Sequence, residues 1–170
     1  MALHGKFYLN KADFAPLVFP GVGTFMAYSG NKGYRNQPGC TFVTDNGPLP
    51  VGRYWIVDRH VGGMRTQFRE SLATLFRRNI RADWFGLYRD DGSVNDYTWI
   101  DGIKRGSFRL HPAGSRQLSL GCLSVHHPTD FYMLREALLR TPKIQIPGAE
   151  LSAHGTIEVI GDESLCPVYG

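Results

Sequence analysis

Residues 109–123 have the sequence RLHPAGSRQLSLGCL, and the predicted organisation of the chain can be built outward from this stretch. Its first residues predict a short strand that ends at His111, and Gly114 and Gly121 predict a loop that returns toward Cys122. A loop of roughly ten residues brings its two ends together at a small cost in chain entropy. We therefore expect a histidine and a cysteine to lie close together where a strand ends.

The rest of the chain predicts a mainly β fold. The segment Gly52–Asp58 is rich in β-forming residues, and Gly155–Ile160 alternates apolar and polar side chains. Trp84–Arg89 and Tyr97–Ile100, which a polar turn joins, predict a β-hairpin. With 20 glycines and 10 prolines spread along the chain, these segments predict a mainly β sheet or sandwich in a single domain of residues 1–170.

Apolar residues at helical spacing predict two peripheral helices outside this sheet. The first helix begins near Thr66, ends with a basic pair, and has a buried face formed by Phe68, Leu72, Leu75 and Phe76. The second helix runs from Pro128 to about Arg140, and Pro142 prevents its continuation.

The composition limits the class of protein. A chain of 170 residues with 42% hydrophobic residues can bury a core, which argues against intrinsic disorder. The formal net charge of +4 and the pI of about 9.1 fit either ordinary surface chemistry or attraction to an anionic partner. The basic residues form no run, and no stretch approaches the roughly 20 apolar residues that span a bilayer. We expect no nucleic-acid partner and no membrane insertion.

The pair His111 and Cys122 has the composition of a nucleophilic site. A thiol attacks carbonyl groups as the thiolate, and a neighbouring imidazole is the usual base that removes its proton. The small residues Ser119 and Gly121 leave room for a carbonyl group and free backbone N–H groups for the oxyanion that forms. The spacing by itself leaves two interpretations open, a cysteine acyl-transfer site or two unrelated residues.

The other cysteines and histidines give weaker predictions. Cys40 and Cys166 either pair in an oxidising compartment or remain buried thiols. Cys122, His126 and His127 form a C-x3-H-H cluster, but only two of the three residues easily face one ion, and no fourth ligand is evident. We therefore expect neither a metal nor a cofactor.

Several segments together resemble a known family. A histidine that precedes Ser-x-Gly-Cys resembles the motif of L,D-transpeptidases, and GPLPVGRY at 47–54 resembles the strand entrance of those enzymes. With residues 27–30, 83–91 and 100–122, the chain is similar to L,D-transpeptidase effectors that type VI secretion systems deliver against competing bacteria. The resemblance covers roughly residues 25 to 125. It implies an L,D-transpeptidase-like β-sandwich.

The resemblance also implies roles and a substrate. Cys122 is then the nucleophile, His111 its base and later acid, and the backbone N–H of Cys122 with that of Gly121 the oxyanion hole. The substrate is the tetrapeptide stem of peptidoglycan, attacked between diaminopimelate and the terminal D-alanine. Water then gives carboxypeptidase activity, and a D-amino acid gives exchange. Leu120 replaces a histidine that is common in the housekeeping enzymes, and Ser124 replaces an Asn or Arg, which favours the effector branch.

Five further residues are candidates for substrate binding. Arg109 lies two positions before His111, so its guanidinium can point into the same cleft and grip a carboxylate, or it is a surface arginine. Ser115 and Ser119 bind substrate or shape the loop. The resemblance alone suggests Tyr28 and Ser29 as cleft-lining residues. The group that orients His111 is unassigned, although Pro112 retains its carbonyl.

The expected life cycle follows from the same resemblance. The first ten residues hold no apolar core of signal-peptide length, so we expect synthesis in the cytoplasm without a signal peptide, then secretion and action in the periplasm of a target bacterium. The expected partners are peptidoglycan stem peptides, a cognate immunity protein and a component of the secretion apparatus. Two alternatives remain, a papain-like peptidoglycan thiol peptidase and a non-catalytic cell-wall-binding module.

Overall fold

The computed structural model describes residues 2–59 and 81–168 of the chain. Within these residues it contains eleven strands and one α-helix, α1, at Pro128–Arg140. The strands are β1 Leu3–Tyr8, β2 Ala15–Phe19, β3 Gly23–Ser29, β4 Gly52–Asp58, β5 Phe85–Arg89, β6 Tyr97–Ile100, β7 Ile103–Gly106, β8 Arg109–Pro112, β9 Leu123–Val125, β10 Ile144–Gln145 and β11 Ser152–Ile160. The prediction of a mainly β chain is therefore confirmed.

Nine of the described strands form one sheet that closes on itself. Their order is β1-β2-β3-β9-β8-β5-β4-β11-β10, and the first strand β1 also pairs in parallel with the last long strand β11. This closure makes a barrel-like sheet, and the predicted sandwich is not confirmed. The reason is non-local, because residues near the two ends of the chain, such as Leu3 and Gly155, supply each other's missing strand partner.

The core fills the inside of this closed sheet. Strand residues alternate between the interior and the solvent, which is the expected geometry of a strand with one buried face. On β2, for example, Ala15, Leu17 and Phe19 are buried while the residues between them are partly exposed. The buried residues of β1, β4, β5, β8 and β9 include Phe7, Ile56, Leu87, Leu110 and Leu123. The sheet and its core therefore hold β8 and β9 rigidly against each other.

The hairpin lies one strand further along the chain than predicted. Strand β6 pairs with β7 instead of β5, and the two form a separate two-stranded sheet in which Ile100 faces Ile103. Asp101 and Gly102 connect them with φ angles of 49° and 77°. Positive φ at both turn residues is typical of the tight type I′ hairpin, for which Asp-Gly is a favoured pair. The prediction had instead placed the hairpin turn in the longer polar segment after β5.

The helix α1 begins and ends where the sequence predicts. Pro128 opens it, and Phe131, Leu134 and Leu138 point into the core. The other predicted helix, near Thr66, lies outside the described residues. No helix in the described ranges 2–59 and 81–168 is long and apolar enough to cross a membrane.

The two cysteines away from the predicted site are joined. Cys40 and Cys166 form a disulfide that connects residues 126 positions apart. Both are buried with Val43 in a small apolar cluster beside the main core. The disulfide thus ties the C-terminal segment to the loop that precedes β4, and it decides a pairing that the sequence left open.

Candidate active site

His111 lies on β8, and Cys122 directly precedes β9, the parallel neighbour of β8. In the pairing of β8 with β9, His111 is opposite Ser124. Cys122 precedes Ser124 by two residues, at the entrance of β9, and side chains two apart on an extended chain share a face. Strand β8 extends one residue beyond His111, to Pro112. The strand register and the two-residue spacing therefore put His111 and Cys122 on the same face of the sheet.

His111 is held in one orientation and one tautomer. Its Nδ1 lies 2.8 Å from the carbonyl oxygen of Pro112, which can only accept a hydrogen bond, so Nδ1 carries the proton. Nε2 is left as the acceptor, 3.5 Å from the Ser124 hydroxyl oxygen. The Trp84 ring stacks on the imidazole at 4.3 Å between centroids. Pro112 is thus the orienting group that the sequence left unassigned.

Burial sets the charge state of this histidine. It lowers the pKa of the His111 imidazole, while the hydrogen bond to Pro112 opposes this effect and the charge of Arg81 adds to it. A lowered pKa keeps the imidazole neutral at neutral pH. His111 can therefore accept a proton at Nε2, which is the requirement for a general base.

The free cysteine Cys122 is partly exposed. The Cys122 thiol donates a weak hydrogen bond to the Ser107 carbonyl at 3.7 Å. Burial raises the pKa of the Cys122 thiol, although the backbone N–H and the guanidinium of Arg109 lower it in part. The raised pKa of Cys122 and the lowered pKa of His111 favour a neutral thiol and a neutral imidazole at neutral pH.

The turn before the cysteine has a backbone that only glycine adopts easily. Gly121 has a φ angle of +108°, and a Cβ atom placed there would lie 2.5 Å from Nη2 of Arg105. The Gly121 carbonyl accepts a hydrogen bond from the Ser29 hydroxyl at 3.2 Å, and the Cys122 carbonyl accepts one from Ser119 at 2.6 Å. The side-chain contacts of this turn in the described chain thus use its carbonyl groups and none of its N–H groups.

The serines predicted near the substrate divide into two groups. Ser119 and Ser29 are buried and bind backbone groups, since Ser119 also accepts the Gly30 N–H at 3.1 Å and Ser29 the Leu49 N–H at 2.8 Å. These contacts shape the loop. Ser115 is exposed on the loop between the histidine and the cysteine.

Tyr28 lies beside Ser124 across the β3–β9 pairing and is fully buried. Burial raises the pKa of this phenol, and the Arg35 charge and the Ser124 hydroxyl lower it in part. Tyr28 therefore belongs to the wall of the site behind Ser124.

Arg109 is engaged by a carboxylate of the protein itself. Both guanidinium nitrogens bind Asp96, at 2.6 and 2.8 Å. The hydrogen bond to Asp96 raises the pKa of Arg109, which remains charged. The backbone of Arg109 faces Cys122, so this ion pair anchors the strand segment against which the thiol rests. The sequence spacing could not reveal Asp96, because it precedes the hairpin that separates the two residues.

A buried arginine near the cysteine was missed altogether. Arg105 is 3% exposed, and its guanidinium donates to the carbonyl groups of Thr41, Gly47 and Pro48. It forms no ion pair with a described carboxylate. Burial lowers the pKa of Arg105, and the charge of Cys122 is among the groups that raise it. The signal in the sequence was the Asp-Gly turn, which places Arg105 opposite the buried Thr98.

The part of the chain that the structure describes contains no group of three His, Cys, Asp or Glu side chains suited to a metal ion. The rings of His126 and His127 contact each other at 4.5 Å between centroids. The groups that the described site offers for chemistry are the Cys122 thiol, the His111 imidazole and the backbone.

Comparison with known families identifies the chain. The family model of the Tlde1 domain matches residues 23–149, which is about three quarters of the chain and includes both His111 and Cys122. The chain belongs to the Tlde1 domain family. This is the type VI secretion L,D-transpeptidase effector family, so the resemblance found in the sequence is confirmed. A comparison with curated proteins gives no match.

Membership of the Tlde1 family carries a coarse function. The chain is a type VI secretion effector of the antibacterial kind that targets the cell wall, and the family is consistent with an L,D-transpeptidase-like enzyme. The Tlde1 match covers strands β3 to β10, the whole region that builds the site, and leaves β1, β2 and β11 outside it.

Proposed function

We propose that this effector cleaves the bond between diaminopimelate and the terminal D-alanine of peptidoglycan tetrapeptide stems, and exchanges that D-alanine for other D-amino acids. The observation that carries the proposal is the orientation of His111. Its Nδ1 proton is bound by the Pro112 carbonyl, so Nε2 is free to act as base on the sheet face that also presents Cys122. A histidine oriented by a third group beside a cysteine is the arrangement of covalent acyl transfer.

The first half of the reaction forms an acyl-enzyme. His111 Nε2 takes the Cys122 proton as the sulfur attacks the diaminopimelate carbonyl carbon. The developing oxyanion is bound by the backbone N–H groups of Cys122 and Gly121, whose carbonyls are held by Ser119 and Ser29. The protonated His111 then donates its proton to the leaving amine of D-alanine.

The second half releases the stem. His111, neutral again, removes a proton from water or from the amine of an incoming D-amino acid, which attacks the thioester carbonyl. The bond between the carbonyl carbon and the Cys122 sulfur then breaks, and the departing thiolate takes the proton back from His111. Water yields the shortened stem, and the amine yields an exchanged stem. Both reactions consume the tetrapeptide donors from which cross-links are made, which suits a toxin.

Substrate contacts divide among the predicted residues. The exposed Ser115 lies on the loop that rims the site and is placed to contact a bound stem. Arg109 can bind a substrate carboxylate only if Asp96 releases part of its bidentate contact. We propose that Arg109 mainly supports the strand beside Cys122. Tyr28 then forms part of the wall of the site, and Ser29 holds the turn that precedes Cys122.

The site of action follows from the substrate. The effector leaves the producing cell through the type VI apparatus, binding a component of it, and acts in the periplasm of the target bacterium. The Cys40–Cys166 disulfide supports action in an oxidising compartment. A producer that carries such an enzyme is protected by a cognate immunity protein, which we expect to cover the cleft that holds Cys122.

Incubation of the purified protein with disaccharide-tetrapeptides, followed by mass spectrometry, tests the activity. We expect loss of one alanine, abolished in Cys122→Ala and in His111→Ala. Ser93→Ala, which changes an exposed serine between β5 and β6, is the control and should retain turnover. Cleavage at another bond of the stem would instead show a thiol peptidase. Unchanged substrate with retained binding would show a cell-wall-binding module.

Expression in two compartments tests the target. Protein directed to the bacterial periplasm is expected to arrest growth with swollen cells, whereas cytoplasmic protein should be tolerated. Cys122→Ala directed to the periplasm is the control. Equal toxicity in both compartments would contradict a cell-wall substrate.

A further inference from the structure

A basic groove lies beside the loop that carries the nucleophile. It has a volume of about 450 Å³ and is lined by Asp13 and Phe14, by Asn31, Lys32 and Arg35, and by residues 116–118 of the loop between His111 and Cys122. None of these residues has a role in the reaction proposed above. We call this cavity the basic groove.

Arg35, which lines the basic groove, connects it to the face of the sheet that carries His111. Tyr28 is opposite Ser124 on β3 and β9, and Ser124 is opposite His111 on β8, so the three side chains form a row on one face. The Arg35 guanidinium lies over the Tyr28 ring, 4.2 Å from its centroid. The groove therefore continues this row on the side of Tyr28 away from His111.

The loop also connects the basic groove to the cysteine. Arg35 donates to the carbonyl of Gln117 at 2.7 Å, which fixes the loop at the groove. Two residues later Ser119 bonds to the Cys122 carbonyl. Residue 118, which lines the groove, thus lies four positions before the nucleophile, at most roughly 14 Å along an extended chain. A peptide bound at Cys122 is long enough to reach the groove.

The charge of the groove selects its ligand. Lys32, Arg35 and Arg116 line it together with a single acid, Asp13. Within residues 2–59 and 81–168, none of the three cations forms an ion pair with a carboxylate. Uncompensated cations at the edge of a cleft attract anionic groups, and arginine binds carboxylates through paired N–H donors. Phe14 adds an apolar wall against which an aliphatic chain can pack.

We propose that the basic groove is a subsite for a substrate carboxylate remote from the cleaved bond. This inference rests on the proposed function and extends it, since it assigns a binding site for part of the substrate that does not react. Two sources carry such a carboxylate, the stem peptide that is attacked and the D-amino acid that enters during exchange. A bound carboxylate would contact Arg116 and Lys32 and one free N–H of Arg35.

Binding to an inactive protein tests the groove without relying on turnover. In the Cys122→Ala background, Lys32→Glu with Arg116→Glu reverses two exposed charges of the groove. Lys6→Glu with Lys104→Glu reverses two exposed lysines that do not line it, and changes the net charge equally. Calorimetric titration with disaccharide-tetrapeptide and, separately, with D-alanine gives the dissociation constants.

We expect the groove variant to weaken binding about tenfold or more, as for loss of a charge-assisted contact, and the control variant to change it less than about threefold. Weakening with the tetrapeptide assigns the carboxylate to the stem, and an amidated stem should then bind both variants alike. Weakening with D-alanine alone assigns it to the incoming amino acid. Unchanged binding of both ligands, or equal weakening in the control, overturns the proposal. Failure of alanine release with intact groove-dependent binding would instead refute the catalytic role of Cys122.

Discussion

Loss of the Cys40–Cys166 disulfide is expected to lower the free energy of unfolding by several kcal/mol. The bond closes a loop across 126 positions of the chain. In the chain-entropy model a loop of this length is worth about 5 kcal/mol at 25 °C, an upper value because reduced chains retain structure. At roughly 2 to 4 °C per kcal/mol for a chain of this size, the melting temperature should fall by about 10 to 20 °C.

The disulfide also supports the site indirectly. It is buried beside Val43, in the loop whose carbonyl groups at Thr41 and Gly47 hold the buried Arg105. Arg105 in turn abuts Gly121. We therefore expect reduction to lower the rate of alanine release as well as stability, at temperatures where the protein is still folded.

Thermal unfolding followed by circular dichroism, with and without reductant, measures the effect. The native protein should melt at a lower temperature in dithiothreitol, and Cys40→Ala with Cys166→Ala should melt low in both conditions. That double variant controls for reductant effects elsewhere. A native melting temperature that moves by less than about 2 °C on complete reduction, verified by thiol counting, would refute the entropic reasoning.

Three further predictions concern the residues around the thiol. Burial raises the pKa of Cys122 and lowers that of His111. The rate at which iodoacetamide alkylates Cys122 should therefore rise with pH, with a midpoint above that of a free cysteine. A plateau of this rate between pH 5 and 7 would reveal an ion pair instead. Gly121→Ala should cost about 1 to 3 kcal/mol in backbone strain and abolish alanine release. The control Gly92→Ala, at a φ angle of +91° with open space around it, should share only the strain. Similar activity in the two variants would exclude a special role for the turn at Gly121. Arg105→Gln should lower the free energy of unfolding by about 3 kcal/mol, because it leaves buried carbonyl groups unpaired. It should also raise the pH midpoint of Cys122 alkylation, which Arg105→Lys should restore. An unchanged midpoint in both variants would show that this charge does not reach the thiol.

The sequence predicted best those features that depend on neighbours along the chain. The strand Gly52–Asp58 and the helix Pro128–Arg140 have the predicted bounds. The signals for both are local, since β-forming residues define the strand and a proline near each end limits the helix. The sandwich was not confirmed, because the closed sheet depends on pairing β1 with β11, more than a hundred residues away. The hairpin was wrong because two turns competed, and the shorter Asp101-Gly102 turn has the better backbone geometry.

The candidate site divides in the same way. The sequence by itself determined the family, the pair His111 and Cys122, and the glycine before the cysteine, since these lie within one short motif. Only the tertiary structure decided what each of them contacts. Pro112 orients the histidine, Asp96 binds the arginine that spacing had directed at substrate, and Arg105 lies buried behind the turn. The physical reason is that a side chain's partner depends on strand register and on burial, and both are set by contacts between distant parts of the chain.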